Sequence, residues 1–180
     1  MSTKTLKPGS KLPDFNLPAT DGKNYFPDSF ADKKALIVIF SCNHCPYVQA
    51  YEERIKEIQD NYFSKGVAIV AINSNDVKDY PDDSFENMKK RAEQKNFNFP
   101  YLRDETQEVA KAFDASHTPE IFLFDKSRKL AFHGKIDDNW QEPEKAKSKY
   151  LREALDELLE GKEISVLETF TIGCTIKWKK

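Results

Sequence analysis

Two cysteines separated by two residues, Cys42-Asn43-His44-Cys45, stand between a continuous apolar run and an amphipathic one. Thiols at this spacing lie about one helical turn apart, close enough for one to resolve a mixed disulfide formed on the other. A chain that passes from a strand into a helix here sets the first sulfur over the free amides at the helix's positive end, where thiolate is favoured. Cys42 is therefore expected to attack and Cys45 to resolve. A protonated His44 beside the thiolate would lower its pKa further and stabilise the reduced form, making the couple more oxidising. Two other readings use the same residues. Free cysteines are among the most buried residue types and serve as inert core thiols. Cys-x-x-Cys is also half of a zinc site, to which His44 could add a ligand. No second Cys-x-x-Cys or His-x-x-x-His follows, so a zinc site would need Cys174 and His117 to converge by folding. No metal is expected.

The elements that must position this pair are legible around it. Ala35 to Phe40 is an unbroken β-branched and aromatic run, the pattern of a strand buried on both faces. From Pro46 onward, Val48, Tyr51, Ile55, Ile58 and Tyr62 recur at steps of three and four, an apolar stripe on a helix of about four turns. Pro46 suits the first turn, where no amide hydrogen bond is lost. Gly66 ends the segment, and Val67 to Ile72 supplies a second buried run, completing a right-handed βαβ unit with parallel strands.

Residues 1–34 are rich in Pro, Gly, Asp and Lys, with short apolar pieces at Phe15-Asn16-Leu17 and Tyr25-Phe26. They read as an N-terminal extension containing a small hairpin. Asp76 to Asp83 is polar and turn-like, and Phe85, Met88 and Ala92 mark a short helix, together a helical insertion. A further short helix is expected over Glu105 to Phe113. The strands Ile121 to Phe124 and Leu130 to His133 follow, joined by the turn Asp125 to Arg128 as an antiparallel hairpin. The last helix carries Tyr150, Leu151, Ala154, Leu155, Leu158 and Leu159 on one face and stops at Gly161. Residues 162–180 form a tail, and the whole span 1–180 reads as one α/β domain.

The chain has 180 residues with 28 basic and 30 acidic side chains, a formal charge of −2. The charges are interspersed, which excludes a wide basic field for nucleic acid or anionic lipid. No apolar run approaches the length of a membrane span, and Met1-Ser2-Thr3-Lys4 lacks the apolar stretch of a signal peptide, so a cytoplasmic location is expected. Three cysteines do not make a secreted disulfide framework. Thirteen phenylalanines suit an ordinary packed core.

The sequence resembles the thioredoxin-like superfamily, and within it the peroxiredoxin-like branch related to alkyl hydroperoxide reductase and thiol-specific antioxidant proteins. The resemblance runs along nearly the whole chain: Pro13-Asp14-Phe15-Asn16-Leu17 and Asp21-Gly22-Lys23, then Leu36 to Phe40 into the dithiol and Pro46, then Thr118-Pro119-Glu120 leading to Asp125. The ending Gly173-Cys174-Thr175-Ile176-Lys177-Trp178-Lys179 is similar to the tail of a peroxiredoxin-like subgroup that also bears the dithiol. The resemblance implies a central mixed β-sheet flanked by helices. It also implies that Pro119 is the superfamily's cis-proline, with Thr118 and Glu120 beside it near the sulfurs. It implies a thiol-disulfide oxidoreductase with no cofactor, acting on protein or small-molecule disulfides and thiols with an electron donor outside the chain. The alternative it carries is an antioxidant thiol peroxidase acting on peroxides, with Cys45 as the peroxidatic residue.

Peroxiredoxins place a threonine three residues before the peroxide-attacking cysteine and bring an arginine from a later strand. Aligned on Cys45-Pro46, the threonine position is Cys42, and the arginine position is Pro119. A peroxide here would lack two of its usual donors, and orienting donors carry much of the catalytic stabilisation. Disulfide exchange is accordingly preferred, with a non-catalytic redox-sensing interaction domain as a third reading. Thioredoxins proper keep a buried acid on the strand leading to the dithiol; Ala35 to Ser41 contains none, which leaves Glu120 or His44 to handle protons. For Cys174 a surface thiol and a second resolving cysteine, presented by the tail as an edge strand, both stand open. His117 and His133 are read as structural or surface residues, and Asp137, Asp138 and Trp140 as a solvated polar loop.

Overall fold

Six consecutive apolar side chains leave a strand no solvent face, and Ala35–Phe40 accordingly forms the centre of a sheet with every residue buried. The computed structural model describes residues 6–180. In chain order the elements are β1 (Leu17–Pro18), β2 (Asn24–Tyr25), β3 (Ala35–Phe40), α1 (Pro46–Phe63), β4 (Val67–Asn73), α2 (Phe85–Gln94), β5 (Tyr101–Arg103), α3 (Glu108–Phe113), β6 (His117–Thr118), β7 (Glu120–Phe124), β8 (Leu130–Gly134), α4 (Tyr150–Leu159) and β9 (Cys174–Thr175).

The main sheet has five strands in the order β5-β4-β3-β7-β8. β3 runs parallel to β4, from Ala35 opposite Val67 to Phe40 opposite Ile72. On its other side it runs antiparallel to β7, with Phe40 opposite Glu120. The expected βαβ unit and the antiparallel hairpin β7–β8 are both present. The helical insertion is present as α2 and has a further role. β5, absent from the sequence reading, pairs in parallel with β4, so α2 is also the crossover of a second βαβ unit. β5 is short, and the run Tyr101-Leu102-Arg103 carries no periodicity from which to read it.

Alternation along each strand divides the core in two. On one face Ile37, Ile39, Ile69 and Leu123 pack under α1, α2 and α4 through Tyr51, Ile55, Ile58, Met88 and Leu155. On the other face Leu36, Val38, Phe40, Phe122 and Phe124 pack against α3 and the N-terminal extension. The extension is thus part of the core: Leu12, Phe15, Ala19 and Phe30 are buried in it. α3 starts at Glu108, three residues later than expected, because Gln107 takes φ 66° and the buried Asp104 accepts the Ala110 amide at 2.9 Å.

Beyond α4 the tail returns along the sheet edge. His133 N donates to the Leu167 carbonyl and Thr169 N to the His133 carbonyl, each at 3.0 Å. At Gly134 (φ 150°) a Cβ would lie 2.0 Å from Thr169 Oγ1, so only glycine lets the tail approach this closely. No helix of the described residues is long and apolar enough to cross a membrane.

Phe113 is fully buried and meets Phe40, Phe122 and Phe124 edge to face at 5.2, 5.2 and 6.0 Å. Phe113→Ala should lower the unfolding free energy by about 3–5 kcal/mol. The measurement is a denaturant titration; a loss well under 1 kcal/mol would mean that this cluster does not anchor α3 to the sheet.

Candidate active site

The strand-to-helix turn that carries the dithiol ends at Pro46, where the sequence places the first turn of the helix. α1 begins at Pro46 with Cys45 as its N-cap residue. It is therefore Cys45, not Cys42, that lies at the positive end of the helix, a correction to the expected placement of the first sulfur. Both thiols are buried, Cys42 at 3% and Cys45 at 1% exposure, and both face Thr118. The Thr118 hydroxyl is 3.5 Å from the Cys42 sulfur, and the Cys45 sulfur is 3.4 Å from the Thr118 carbonyl oxygen. The Thr118–Pro119 peptide bond is cis, as the family resemblance implies for Pro119.

The surroundings divide the charge unevenly between the two sulfurs. The Cys45 thiol is pulled down to about 4, first by the hydrogen bond from the Cys42 thiol, against the burial that opposes it, and then by the Cys174 thiol and the backbone amides of Val48 and Cys174. Cys42 moves far up, because it donates to Cys45, is buried, and faces the carboxylate of Asp83. These surroundings favour the proton on Cys42 and the negative charge on Cys45.

β3 carries no acid, and the buried carboxylate whose charge acts on Cys42 is Asp83. It arrives from the 3-10 helix Pro81–Asp83 and is fully buried. Its Oδ1 accepts the Asn43 amide at 2.7 Å and Asn73 Nδ2 at 3.0 Å, and its Oδ2 accepts Asn75 Nδ2 at 3.0 Å. His44 Nδ1 lies 3.0 Å from Oδ2, and the His44 ring stacks on Tyr80. His44 Nδ1 is buried there without a hydrogen bond, and what lies beside it is the Asp83 carboxylate. Asn43 is locked in turn: its Nδ2 donates to the Asp82 carbonyl, and its Oδ1 accepts from the Tyr101 hydroxyl at 2.8 Å. Two segments distant in sequence, Tyr80 to Asp83 and Tyr101, hold the turn between the two cysteines.

The tail completes the site. β9 pairs antiparallel with β6, setting Cys174 opposite Thr118, and Cys174 packs against the cluster of Cys42, Cys45 and Val48. Gly173 permits this: a Cβ there would lie 2.1 Å from the Thr118 carbonyl oxygen. Ile176 is buried against α3's core, and Ile176 N donates to the Ser116 carbonyl at 2.9 Å. Gln107, buried, donates to the Lys177 carbonyl and accepts from Lys179 N. Cys174 is half-buried, the most exposed of the three sulfurs. The tail thus presents Cys174 from a two-residue strand paired with β6.

The remaining candidates fall elsewhere. Glu120 is buried, but its Oε2 accepts the Ser116 and His117 amides, and its Oε1 pairs with His133 Nε2 at 2.8 Å. It is spent on holding β6 against β8 and is not free to serve the sulfurs. His117 pairs with Ser116 Oγ. Among the described residues no group of three or more His, Cys, Asp or Glu is arranged to hold a metal ion. Asp137 is buried and not part of a solvated loop: it accepts from Arg54 at 2.7 Å and from the Tyr51 hydroxyl at 2.8 Å. The Trp140 ring lies 4.3 Å from that of Tyr47, tilted by 47°, and Tyr47 packs against the sulfur cluster. Asp138 is exposed and caps the amides of Lys147 and Ser148.

Comparison with known proteins places this geometry in context. The model of the Redoxin family matches residues 7–150. The thiol-disulfide oxidoreductase ResA of Geobacillus thermodenitrificans is 27% identical over 124 residues, which span 68% of this chain and 66% of that protein, just under two thirds of its length. Among solved structures, an uncharacterized conserved protein from Geobacillus kaustophilus is 42% identical with a TM-score of 0.91, covering 98% of this chain and 94% of that one. A hypothetical protein from Sinorhizobium meliloti is 37% identical with a TM-score of 0.90, covering 98% and 97%. Thioredoxin-like structures at 17–20% identity, a peroxidoxin and a thiol:disulfide interchange protein among them, share the fold.

Two measurements test the electrostatics. In the reduced protein the thiolate absorbance near 240 nm should persist on acidification and fall only around pH 4, where Cys45 takes up its proton; a midpoint near 9 would contradict it. The Asp83 charge opposes ionisation of Cys42, so removing it must lower the Cys42 pKa. In a Cys45→Ser background, Asp83→Asn should move the pH profile of Cys42 alkylation to lower pH. An unmoved profile would show that the carboxylate does not act on this sulfur.

Proposed function

The chain belongs to the Redoxin family, and we propose that it is a thiol-disulfide oxidoreductase in which Cys42 carries the mixed disulfide with the partner and Cys45 is the leaving and resolving sulfur. The observation that carries this reading is the unequal placement of the two thiols: Cys45 caps α1 among hydrogen-bond donors, while Cys42 faces Asp83. In exchange, the sulfur expelled from a disulfide is preferentially the one that is stable as thiolate. An incoming thiolate attacks Cys42 Sγ; the Cys42–Cys45 bond breaks, and Cys45 departs with the electron pair. A second thiolate from the partner then attacks the partner's own sulfur in the mixed disulfide and displaces Cys42, which takes a proton. Two thiols are oxidised to a disulfide and the dithiol is reduced. Run backwards, Cys42 attacks a partner disulfide and Cys45 resolves it.

Stabilising Cys45 as thiolate stabilises the reduced form, which supports a couple more oxidising than thioredoxin's value of about −270 mV. The partners are protein or small-molecule thiols and disulfides, a class supported by the similarity to the thiol-disulfide oxidoreductase of Geobacillus thermodenitrificans.

A second reading, peroxide reduction by Cys45, is favoured by one observation, the low pKa of that thiol at a helix N-cap. It lacks the threonine and arginine that peroxidases set on the peroxide. Arg54 is bound to Asp137, Arg91 is bound in bidentate fashion to Glu52, and Cys42 and Pro119 stand at the two positions where peroxidases keep threonine and arginine.

The two readings separate in variants. Cys45→Ser should trap partners as disulfides on Cys42, identified by mass spectrometry of the linked peptides; partners found on another sulfur would refute the exchange order. Cys42→Ser should consume hydrogen peroxide no faster than an ordinary thiolate. Rapid consumption with a sulfenic acid on Cys45 would make the peroxidase reading the correct one.

A further inference from the structure

Three sulfurs meet at Thr118, and exchange between two of them leaves the third without a role. Cys45 touches both others: it lies in one buried cluster with Cys42, and Cys174 packs onto that cluster from β9. The cluster is also graded in exposure. Cys42 and Cys45 are buried, whereas Cys174 is half-exposed on a strand of only two residues. Its position is not incidental to the tail's path. Gly173 admits the close approach to the Thr118 carbonyl, Ile176 is anchored in the core, and Gln107 and Asn75 clamp Lys177 and Lys179 beyond it. The strand is fastened on its C-terminal side, and Glu168 with Thr169 fasten it to β8 on the other.

We propose that Cys174 is a third redox sulfur, which attacks Cys45 in the Cys42–Cys45 disulfide to give a Cys45–Cys174 disulfide and a reduced Cys42. The step deepens the exchange reading and rests on it, since it begins from the Cys42–Cys45 disulfide. It balances internally. The Cys42–Cys45 bond breaks, the Cys45–Cys174 bond forms, the proton leaves Cys174, and Cys42 receives it. No oxidant is needed beyond the partner disulfide that oxidised the dithiol first. Burial pushes the Cys174 thiol up to about 11, and the hydrogen bond to Cys45, with burial, pushes Cys42 up. The consequence is an oxidising equivalent that moves from a buried pair to a sulfur that a partner can reach, with Cys42 reset for a second exchange.

The test maps disulfides in the full-length protein after one equivalent of oxidised glutathione, followed by thiol blocking, digestion and mass spectrometry. Wild-type protein should contain both Cys42–Cys45 and Cys45–Cys174 linked peptides. Cys174→Ser should contain the first alone, and Cys42→Ser should form Cys45–Cys174 within the chain. If Cys42→Ser instead stops with glutathione on Cys45 and Cys174 free, the proposal is overturned. If wild-type protein forms no Cys42–Cys45 disulfide at all, it is the exchange reading that fails, and the two failures are distinct. Gly173→Ala provides a variant that keeps all three thiols: its added methyl group must push β9 away from Thr118. It should lose most of the Cys45–Cys174 product while retaining Cys42–Cys45, and an undiminished yield would count against the strand-presented geometry.

Discussion

The hydroxyl and the carbonyl of Thr118 face two different sulfurs, 3.5 Å from Cys42 and 3.4 Å from Cys45, while its backbone pairs with Cys174. The pairing with Cys174 requires glycine at position 173, where a Cβ would lie 2.1 Å from the Thr118 carbonyl oxygen. Thr118 is thus the reference point of the site, and the rest of the molecule serves to bring it there. β7 continues from Pro119 beside β3, so the same pairing that builds the sheet fixes the cis-proline segment against the start of α1. Core packing on both faces then resists any shift between them, since a close-packed interior transmits displacement and does not absorb it.

The second constraint is electrostatic. Two buried thiols in contact cannot both ionise, and the protein decides between them with groups outside the motif. Amides at the start of α1 and from the tail favour charge on Cys45, and the Asp83 carboxylate disfavours it on Cys42. Asp83 itself is held by the Asn43 amide and two asparagine side chains, so its own burial is compensated by hydrogen bonds. The same residue therefore shapes the turn and polarises the dithiol. The division favours the mixed disulfide on Cys42 in either direction of exchange, because Cys45 is the better leaving group.

Local pattern made much of this architecture readable. The six-residue run of β3 and the stripe from Val48 to Tyr62 each announce their element through a repeat that depends only on near neighbours. Cys42 and Cys45 stand at the junction, so a strand-to-helix dithiol follows directly. Other features left no such trace. β5 is too short to carry a period. Asp137 sits in a polar loop and is nevertheless buried by Arg54 and Tyr51 from α1. Gln107 looks like any surface residue of a helix start, yet it clamps the tail.

The sequence by itself determined the elements, the βαβ core, the dithiol and the cis-proline position, since each is written in neighbouring residues or in motifs shared with the family. Tertiary structure alone decided which sulfur holds the charge, where the buried acid comes from, and that Cys174 joins the pair. The reason lies in chain separation. Asn43 meets Asp83 across 40 residues and Cys42 meets Thr118 across 76, and contacts over such distances depend on how whole elements pack. Periodicity reports which face of an element is buried; it does not report which distant residue that face will meet.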